Sequence, residues 1–285
     1  MQALKLPPLP DIILEPIVRL ALAEDLGVAG DVTTDALIDA TTRGRWAVRA
    51  RKQGVVAGLD AAALTAWMID PDITLRVATP DGETIGANGT ILEIEGFARS
   101  VLTAERVMLN FIGHLSGIAT LTRAYVEAVS SLGVVIACTR KTTPGLRALE
   151  KRAVRLGGGG AHRYGLDDAI LIKDNHIAAA GSVRGALELA RGAAAHLTAI
   201  EIEVDSLAQL KEALETPPSA VLLDNFKLDD LRQAVKLAQG QTLLEASGGV
   251  TLQNVRAIAE TGVDVISVGA LTHSAAALDV GLDVL

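Results

Sequence analysis

The sequence has very little cysteine and few aromatic residues. Its 285 residues include one cysteine, Cys138, so an intrachain disulfide framework and a cysteine-based zinc site are excluded. Aromatic side chains make up 2% of the chain, whereas hydrophobic residues make up 49%. The core must therefore be packed mainly by alanine, valine, leucine and isoleucine, which favours closely packed helices and parallel strands. Cys138 is expected to be a small buried hydrophobic residue.

Long apolar runs and an excess of positive charge are also absent. No segment reaches the roughly 18 consecutive apolar residues of a membrane-spanning helix. Residues 1–20 carry prolines and Asp11 where a secretory signal would need a basic start and an unbroken apolar stretch. The net charge of −8 argues against binding to nucleic acid. We therefore expect a cytoplasmic protein with neither a membrane nor a nucleic-acid partner.

The sign of the charge is reversed in one stretch. Residues 139–163 contain seven lysine or arginine residues and a single acid, Glu150. A local cationic excess in an acidic protein predicts a site for a small polyanion. Four of the cations fall in a helical pattern and are expected to be solvated on the outer face of that helix: Arg147, Lys151, Arg152 and Arg155. The candidates for binding the anion are Arg140, Lys141, His162, Arg163 and, further along the chain, Lys173.

The N-terminal part of the sequence predicts a small α+β domain. Apolar residues at helical spacing indicate a helix at 14–26, and the polar segment at 30–38 is expected to be a turn. Strand patterns predominate at 45–96 and are interrupted by one helix at 60–69. The segment at 81–96 contains an Asp-Gly and an Asn-Gly pair, which are typical of the turns of a hairpin.

A long helical region at 99–132 follows this domain. Gly113 and Gly117 interrupt its apolar pattern. Because glycine weakens a helix, we expect the helix to break there, where one domain gives way to the next.

The second half of the sequence alternates short strands with helices. Apolar runs typical of strands recur at 134–138, 169–172, 199–204, 220–223, 242–246 and 264–268. Helical patterns lie between them at 144–156, 181–195, 206–215, 227–239 and 251–261. This order predicts parallel strands joined by right-handed crossovers. Six strands alone are compatible with a barrel that lacks members and with an open doubly wound sheet.

Polar residues or glycines follow each of these strands and favour the barrel. They are Thr139, Arg140 and Lys141; Lys173, Asp174, Asn175 and His176; Glu203 and Asp205; Asp224 and Asn225; Ser247, Gly248 and Gly249; and Gly269 and Ala270. The carboxyl ends of the strands of an α/β barrel meet at one face, where barrel enzymes build their active sites. We therefore expect the site at this face.

The carboxylates of this face suit a cation or hydroxyl groups. Glu201 and Glu203 are two residues apart in a strand, so both side chains point to one face. Two inward carboxylates require cations, a metal or hydroxyl groups as partners. Glu203 and Asp224 are a candidate site for Mg²⁺ or for sugar hydroxyls. Alternatively, they are internal ion-pair partners of Lys141 and Lys173.

The glycines after the last two strands suit a phosphate held by backbone N–H groups. Tight turns without a ligand would account for the same glycines. Among the cations, arginine can bind carboxylates bidentately, whereas lysine provides a compact charge for phosphate.

Eight motifs, in order along nearly the whole chain, are specific enough to indicate a family. They are EDLGVAGDVTT (24–34), TAERVMLNFIGHLSGIAT (103–120), TRKTTPGLRALEKRAVRLGGGGAHRYGL (139–166), ILIKDNHI (170–177), IEVDS (202–206), LLDNF (222–226), EASGGV (245–250) and VGALTHS (268–274). With these motifs the sequence resembles the quinolinate phosphoribosyltransferase family. The resemblance implies an N-terminal α/β sandwich domain at 1–115, an incomplete (β/α) barrel of the type II phosphoribosyltransferase kind at 116–271, and a C-terminal tail at 272–285 that returns to the first domain.

The resemblance also implies a reaction. Members of the family are pentosyltransferases of de novo NAD biosynthesis that require Mg²⁺. They convert quinolinate and 5-phosphoribosyl 1-pyrophosphate to nicotinate mononucleotide, pyrophosphate and CO₂. The ring nitrogen becomes positive once it carries the ribose, so it can accept the electrons left by the departing carboxylate. Glu203 and Asp224 could stabilise the oxocarbenium character of the ribose.

The resemblance assigns roles to individual residues. The residues expected to line the quinolinate pocket are Arg140, His162, Arg163 and Lys173. Arg106 is expected to come from the neighbouring subunit, so the active unit would be a homodimer or a higher homo-oligomer. The positions near phosphoribosyl pyrophosphate and its metal are Lys141, Glu203 and Asp224, which with Lys173 are the candidate catalytic residues. The expected 5′-phosphate site comprises Ser247, Gly248, Gly249, Val268, Gly269 and Ala270. The roles of Glu201, His176 and His273 stay open.

Three other functions are compatible with parts of the pattern. A related phosphoribosyltransferase of the molybdenum-operon type would act on another acceptor, but the intact segment at 173–176 favours the quinolinate enzyme. A Schiff-base aldolase would use Lys141 or Lys173. A non-catalytic barrel would bind phosphate without turning it over.

Overall fold

The computed structural model describes residues 6–285, which fall into two compact units. Residues 1–5 begin the segment that argues against a secretory signal, and they lie outside the described residues. The first unit extends to Arg123 and also contains Thr142–Gly158 and Leu271–Leu285, whereas the second consists of Ala124–Lys141 and Gly159–Ala270. Within the described part of the chain, no helix is long and apolar enough to cross a membrane.

Strands and helices alternate through most of the chain. The elements are, in order, α1 (Asp11–Leu26), α2 (Val32–Leu37), β1 (Arg43–Ala50), β2 (Gly54–Val55), α3 (Leu59–Ile69), β3 (Thr74–Val77), β4 (Thr84–Ile85), β5 (Thr90–Phe97), α4 (Ala98–Ala128), β6 (Val135–Ala137), α5 (Arg147–Leu156), β7 (Ile170–Ile172), α6 (Asp174–Ala180), α7 (Val183–Ala193), β8 (Ile200–Val204), α8 (Leu207–Leu214), β9 (Ala220–Asp224), α9 (Leu228–Ala238), β10 (Leu243–Ser247), α10 (Val255–Ala259), β11 (Val265–Ser267), α11 (Ala270–His273) and β12 (Val280–Val284).

The first unit contains a four-stranded antiparallel sheet in the order β12-β1-β5-β3. Trp46 of β1 lies opposite Ile94 of β5 on one side and Val284 of β12 on the other. The C-terminal strand thus completes the sheet, and Asp283 accepts a hydrogen bond from Arg51 Nη1 at 2.9 Å. The buried core of the unit includes Trp46, Val48, Leu92, Ile94, Met108 and Ile112.

Two local predictions for this unit were wrong. The segment expected to be a polar turn contains the short helix α2, because the Asp31 carboxylate accepts a hydrogen bond from the Thr34 N–H at 2.9 Å and caps the first turn. The segment at 81–96 is not a simple hairpin, since β4 pairs with β2 whereas β5 pairs with β1 and β3. Asn88 does form a turn, with a φ of 63°.

The helix α4 continues through both glycines that were expected to break it. A Cβ atom on Gly117 would lie 2.1 Å from the carbonyl oxygen of Ala276, and one on Gly113 would lie 3.0 Å from that of Leu278. The Leu278 N–H donates to the Gly113 carbonyl at 2.8 Å. The glycines therefore allow the segment at 276–278 to pass against the helix, and the predicted break was wrong.

The expectation that the cations of α5 are solvated is correct for Arg155 and wrong for two others. Arg155 is exposed, whereas Lys151 is buried and the Arg152 side chain is 11% exposed. Arg152 lies between Asp60 and Asp81, which compensate its charge. This face of α5 is thus part of the interior of the first unit.

The second unit contains a six-stranded parallel sheet in the order β6-β11-β10-β9-β8-β7. All six strands predicted from the apolar runs are present, and the fold is the expected incomplete α/β barrel. The first and last strands of the sheet, β6 and β7, are not joined to each other. Beside β6, Gly160 instead forms a single parallel bridge with Ala137. Cys138 is fully buried, as expected.

Candidate functional site

Carboxylates are carried by one face of the parallel sheet. Glu203 lies in register with Leu222, and Leu222 lies in register with Glu245, so these side chains share a face. Glu201 precedes Glu203 by two residues on the same face, whereas Ile202, on the opposite face, is fully buried. The prediction that the Glu201 and Glu203 side chains point to the same face of the sheet is therefore confirmed.

Two arginines of the site, Arg140 and Arg163, lie close to each other. Arg163 Nη1 donates to the carbonyl of Ala169 at 3.1 Å. The Nε atoms of Arg140 and Arg163 are both buried and have no hydrogen-bond partner in the structure. Burial, and then the nearby Arg140 cation, lower the pKa of Arg163. Buried donors without acceptors beside a like charge are costly, and an anion bound between them would remove that cost.

His162 links this pair to the acidic face of the sheet. Its Nε2 atom lies 3.0 Å from Glu201 Oε2 and 3.8 Å from Glu245 Oε1. Its Nδ1 atom accepts a hydrogen bond from the backbone N–H of Arg163 at 2.8 Å. Burial, and then the Glu201 charge, raise the pKa of Glu245 to about 7.

Lys173 and Glu203 form an ion pair of 2.7 Å at the edge of the sheet. The alternative that Glu203 is an internal partner of a lysine therefore describes this structure. The backbone N–H of Lys173, the residue before α6, donates a hydrogen bond to His176 Nδ1 in the first turn of this helix at 2.9 Å. His176, whose role the sequence left open, thus caps the helix that follows the proposed substrate-binding Lys173.

The glycines after β10 have conformations that a side chain would not tolerate. Gly248 has a φ of 95°, and a Cβ atom there would lie 2.1 Å from Asn225 Oδ1. Gly249 has a φ of 60°. The Asn225 amide donates to Asp224 Oδ2 at 2.8 Å, and the Asn225 N–H donates to the Ser247 carbonyl at 2.9 Å. The backbone of Gly248 therefore packs closely against the residue that follows β9, whereas the space around Gly249 is open.

The remaining candidates of the second unit are Lys141 and the residues that follow β11. Lys141 is exposed, and its N–H donates to Thr139 Oγ1 at 3.0 Å. Val268 N–H donates to the Ala137 carbonyl at 2.8 Å, which ties the end of β11 to β6. Gly269 and Ala270 follow directly, and Ala270 begins α11.

Arg106 belongs to the first unit. It is an exposed residue of α4 and lines a cavity of about 450 Å³ together with Asn110 and His114. His114 Nε2 lies 2.9 Å from Glu150 Oε1, which anchors this part of the cavity wall. His273, whose role the sequence also left open, has its Nδ1 atom 2.6 Å from Ser274 Oγ.

Sequence reasoning gave no role to Glu245, which the structure brings next to His162. A signal was present, because Glu245 precedes the candidate residue Ser247 by two residues, as Glu201 precedes Glu203, and side chains two apart along a strand share a face. The donor atoms of His162, Glu201 and Glu245 lie within 4.8 Å of one another. Among residues 6–285 they form the one group of three that could hold a metal ion.

The residues expected to bind Mg²⁺ have suitable chemistry. Glu203 and Asp224 are on neighbouring strands, and Asp224 follows by two residues the partner of Glu203 in the ladder, Leu222. Both side chains are partly accessible and end in hard oxygen donors. Magnesium commonly takes one or two carboxylates and completes its shell with water and substrate phosphates. Two carboxylates at the open edge of the sheet are consistent with such an ion.

An incomplete α/β barrel whose strands carry carboxylates on one face, together with buried arginine Nε atoms that have no acceptor, defines an enzyme-like site for a small polyanion. Comparisons with known proteins identify the class further. The profile of the N-terminal domain of quinolinate phosphoribosyl transferase matches residues 31–116, and that of its C-terminal domain matches residues 118–283. The chain therefore belongs to the quinolinate phosphoribosyltransferase family.

Individual relatives are similar to this chain in sequence over most of their lengths. The nicotinate-nucleotide pyrophosphorylase (carboxylating) of Mycobacterium leprae is 47% identical over 271 residues, which cover 93% of this chain and 95% of the relative. The quinolinate phosphoribosyltransferase (decarboxylating) 1b of Nicotiana tabacum is 39% identical, with coverage of 98% and 85%. The solved structure of the nicotinate-nucleotide pyrophosphorylase of Francisella tularensis is similar with a TM-score of 0.94 at 40% identity, and 98% of each chain is covered.

Proposed function

We propose that this protein transfers the phosphoribosyl group of 5-phosphoribosyl 1-pyrophosphate to quinolinate and releases nicotinate mononucleotide, pyrophosphate and CO₂. The observation that carries the proposal is the adjacent pair Arg140 and Arg163, whose buried Nε atoms have no acceptor in the protein. Quinolinate is a dianion with two neighbouring carboxylates, and two guanidinium groups can bind such groups bidentately. Membership in the family supports the same substrate.

The rest of the acceptor pocket follows from the charges around this pair. Lys173 would bind the dianion as a compact cation once it leaves Glu203, from which it is 2.7 Å away here. Moving the Lys173 ammonium group from the Glu203 carboxylate to the substrate would cost little free energy, because the Lys173 side chain is 48% exposed and the ion pair is partly hydrated. The main task of these cations is to hold the ring nitrogen in line with the ribose carbon that it attacks.

The carboxylates would act on the ribose. Departure of pyrophosphate leaves positive charge on the ribose carbon and ring oxygen, and Glu203 and Asp224 would stabilise that charge electrostatically. The ring nitrogen becomes positive when the new bond forms. The electron pair of the breaking carbon–carboxylate bond stays on the ring carbon beside this positive nitrogen, which stabilises it electrostatically, and a proton from solvent then takes the place of CO₂. No covalent enzyme intermediate is needed.

Magnesium would be held by Glu203 and Asp224. When bound, it would neutralise phosphate charge of 5-phosphoribosyl 1-pyrophosphate. The 5′-phosphate would be bound by backbone N–H groups in the segments at 247–249 and 268–270, where Gly248 and Gly249 keep side chains away. Lys141 would add a positive charge close to the phosphates.

The first test follows both carbon-containing products. The purified protein is incubated with quinolinate, 5-phosphoribosyl 1-pyrophosphate and Mg²⁺, and nicotinate mononucleotide and CO₂ are quantified together. We expect both in equal amounts, and chelation of Mg²⁺ should stop their formation. If neither product forms although 5-phosphoribosyl 1-pyrophosphate binds, the proposed acceptor is wrong.

We also propose that the active unit is at least a homodimer in which Arg106 reaches the site of the neighbouring subunit. Arg106 is exposed on α4 and belongs to a different compact unit from the other cations. Arg106→Ala and Arg140→Ala should each be inactive, whereas mixed dimers of the two variants should recover activity, because one of their two sites is intact. Absence of recovery despite proven subunit exchange would contradict a shared site.

The cytoplasmic location predicted from the sequence is likewise a proposal, which fractionation of producing cells would test.

A further inference from the structure

The environment of His162 determines which of its ring nitrogens carries a proton. Nδ1 accepts a hydrogen bond from the backbone N–H of Arg163 at 2.8 Å, and an accepting nitrogen must be unprotonated. The ring is therefore the neutral form that carries its proton on Nε2. That N–H points to Glu201 Oε2, which is 3.0 Å away. One imidazole thus connects the backbone of Arg163 to a carboxylate on β8.

Glu201 is the rigid end of this connection. It lies within β8, in register with Leu171 on one side and Ala220 on the other. Its side chain is 13% exposed, and its second oxygen, Oε1, is buried without a hydrogen-bond partner. A buried carboxylate with an unused oxygen is costly, so the bond to His162 carries much of its compensation.

Arg163 needs such an anchor. It lies in an irregular segment after Gly160, outside any helix or strand. Arg140 repels it, and its guanidinium donates to the carbonyl of Ala169. Without a fixed backbone, the repulsion would displace Arg163 from the position in which both arginines face one anion.

From these contacts we infer that Glu201 is a positioning residue for the anion site, which acts through His162 to fix the backbone of Arg163. The inference deepens the proposed function and rests on it, since the anion concerned is quinolinate. It also changes the expected role of His162, because both ring nitrogens have partners inside the protein.

A metal ion at His162, Glu201 and Glu245 is the main alternative. Metal-binding histidines normally donate their second ring N–H to an acceptor. Here the second nitrogen, Nδ1, accepts from the Arg163 N–H, so binding through Nε2 would leave the ring without any proton. Arg140 and Arg163 would also repel the ion. The hydrogen-bonded arrangement therefore accounts for the cluster better.

Two substitutions separate the hydrogen bond of Glu201 from its charge. Glu201→Gln and Glu201→Ala both remove the negative charge, but the glutamine retains an oxygen that can accept from His162. We expect the glutamine variant to bind quinolinate at least as tightly as the unaltered protein. The alanine variant should bind it about tenfold more weakly than the glutamine variant. The exposed Glu188→Ala on α7 is the control for loss of a glutamate in the same unit.

Affinity is measured by calorimetry with quinolinate and with benzene-1,2-dicarboxylate, which has the same two carboxylates but no ring nitrogen to react. The Michaelis constant for 5-phosphoribosyl 1-pyrophosphate and the melting temperature are recorded in parallel. A positioning role predicts that the difference between glutamine and alanine is confined to the dicarboxylates. Equal affinities of the two variants would overturn the inference.

A spectroscopic measurement tests the same inference without a substrate. Long-range proton–nitrogen spectra of ¹⁵N-histidine-labelled protein report the tautomer of each of the five histidines, and His162→Gln assigns the signal. His162 should be the neutral Nε2–H form in the unaltered protein and in Glu201→Gln. In Glu201→Ala the released ring should no longer hold Nδ1 against the Arg163 N–H, so this single form should be lost. A Nδ1–H or doubly protonated ring in the unaltered protein at neutral pH would refute it. If neither dicarboxylate binds, the proposed function fails, and the spectra still decide the inference.

Discussion

Each compact unit buries a cluster of opposite charges, and the two clusters are balanced differently. In the first unit, Arg152 Nε lies 3.2 Å from Asp60 Oδ2, and its Nη2 lies 3.7 Å from Asp81 Oδ2. In the second unit, the neighbour with the largest charge effect on Arg163 is another cation, Arg140. The Nε atoms of Arg140, Arg163 and Arg152 are all buried without a hydrogen-bond partner. Two carboxylates of the protein compensate the cation of the first cluster, whereas we propose that an anionic substrate compensates those of the second.

Both clusters contain an acid whose pKa is raised to about 7. For Asp81 the causes are burial and then the charge of Asp60. For Glu245 they are burial and then the charge of Glu201. In each case two carboxylates compete for too little positive charge, so one of them keeps its proton to a higher pH. Arginines from one basic stretch of the sequence therefore form ion pairs in the interior of one unit, and we propose that they bind substrate in the other.

The largest effect on stability is expected from Arg152→Ala. The substitution leaves Asp60 and Asp81 in a buried site without their shared cation, which should lower the free energy of unfolding by roughly 3–5 kcal/mol. Denaturant unfolding measures the loss. Arg155→Ala, at an exposed position of the same helix, is the matched control and should change stability by about 0.5 kcal/mol or less. Similar stabilities of the two variants would mean that the first cluster is not structural.

Arg163→Ala should weaken substrate binding strongly and lower stability only slightly, in contrast to Arg152→Ala. Loss of one guanidinium leaves a carboxylate of quinolinate unpaired and should weaken its binding by roughly 2–5 kcal/mol, measured by calorimetry. Stability should fall less than in Arg152→Ala, because the repulsion from Arg140 disappears together with the hydrogen bond to Ala169. Unchanged affinity would contradict the proposed role, and a large loss of stability would remove the distinction between the clusters.

The sequence predicted the architecture of the second unit because short apolar runs and helical patterns are local signals. The strands were found at their expected places, and the positions just past them gave most of the candidate site. The cationic candidates Arg140, Arg163 and Lys173 could be identified because each follows a strand or a glycine run and not a helical pattern.

The features that were missed depend on contacts between distant segments. Nothing near Gly117 in the sequence indicates that Ala276 approaches it, so the glycine looked like a helix break. The periodicity of α5 likewise does not reveal that Arg152 meets Asp60, which precedes it by about ninety residues. The pairing of β4 with β2 and the approach of Glu245 to His162 are similarly tertiary.

The pH dependence of stability should reveal the two acids. Folded protein keeps a proton on Glu245 up to about pH 7, whereas a glutamate ordinarily releases it near 4.5, so folding takes up a proton between these values. Stability should therefore fall as the pH rises through this interval, by a few kcal/mol at most. Asp81 should contribute in the same direction from about 3.8 to about 7.

Neutral substitutions identify the source of this decline. Glu245→Gln and Asp81→Asn should each flatten the fall in unfolding free energy, measured by denaturant unfolding at several pH values. Glu188→Gln on the exposed face of α7 should leave the slope as it is. If neither neutral variant alters the slope, the raised pKa values are not those of these two groups.

The smallest effect on stability is expected from Glu203→Gln, at the edge of the sheet. Its partner Lys173 is 48% exposed, so the ion pair is hydrated and should contribute less than about 1 kcal/mol to the unfolding free energy. Turnover should nevertheless fall strongly, since Glu203 is proposed to stabilise charge on the ribose and to hold Mg²⁺. Unfolding and product formation are measured on the same preparation, with Glu188→Gln as the control. A stability loss as large as that of Arg152→Ala would place this pair with the structural cluster, whereas loss of turnover alone would separate the binding charges from those that hold the fold.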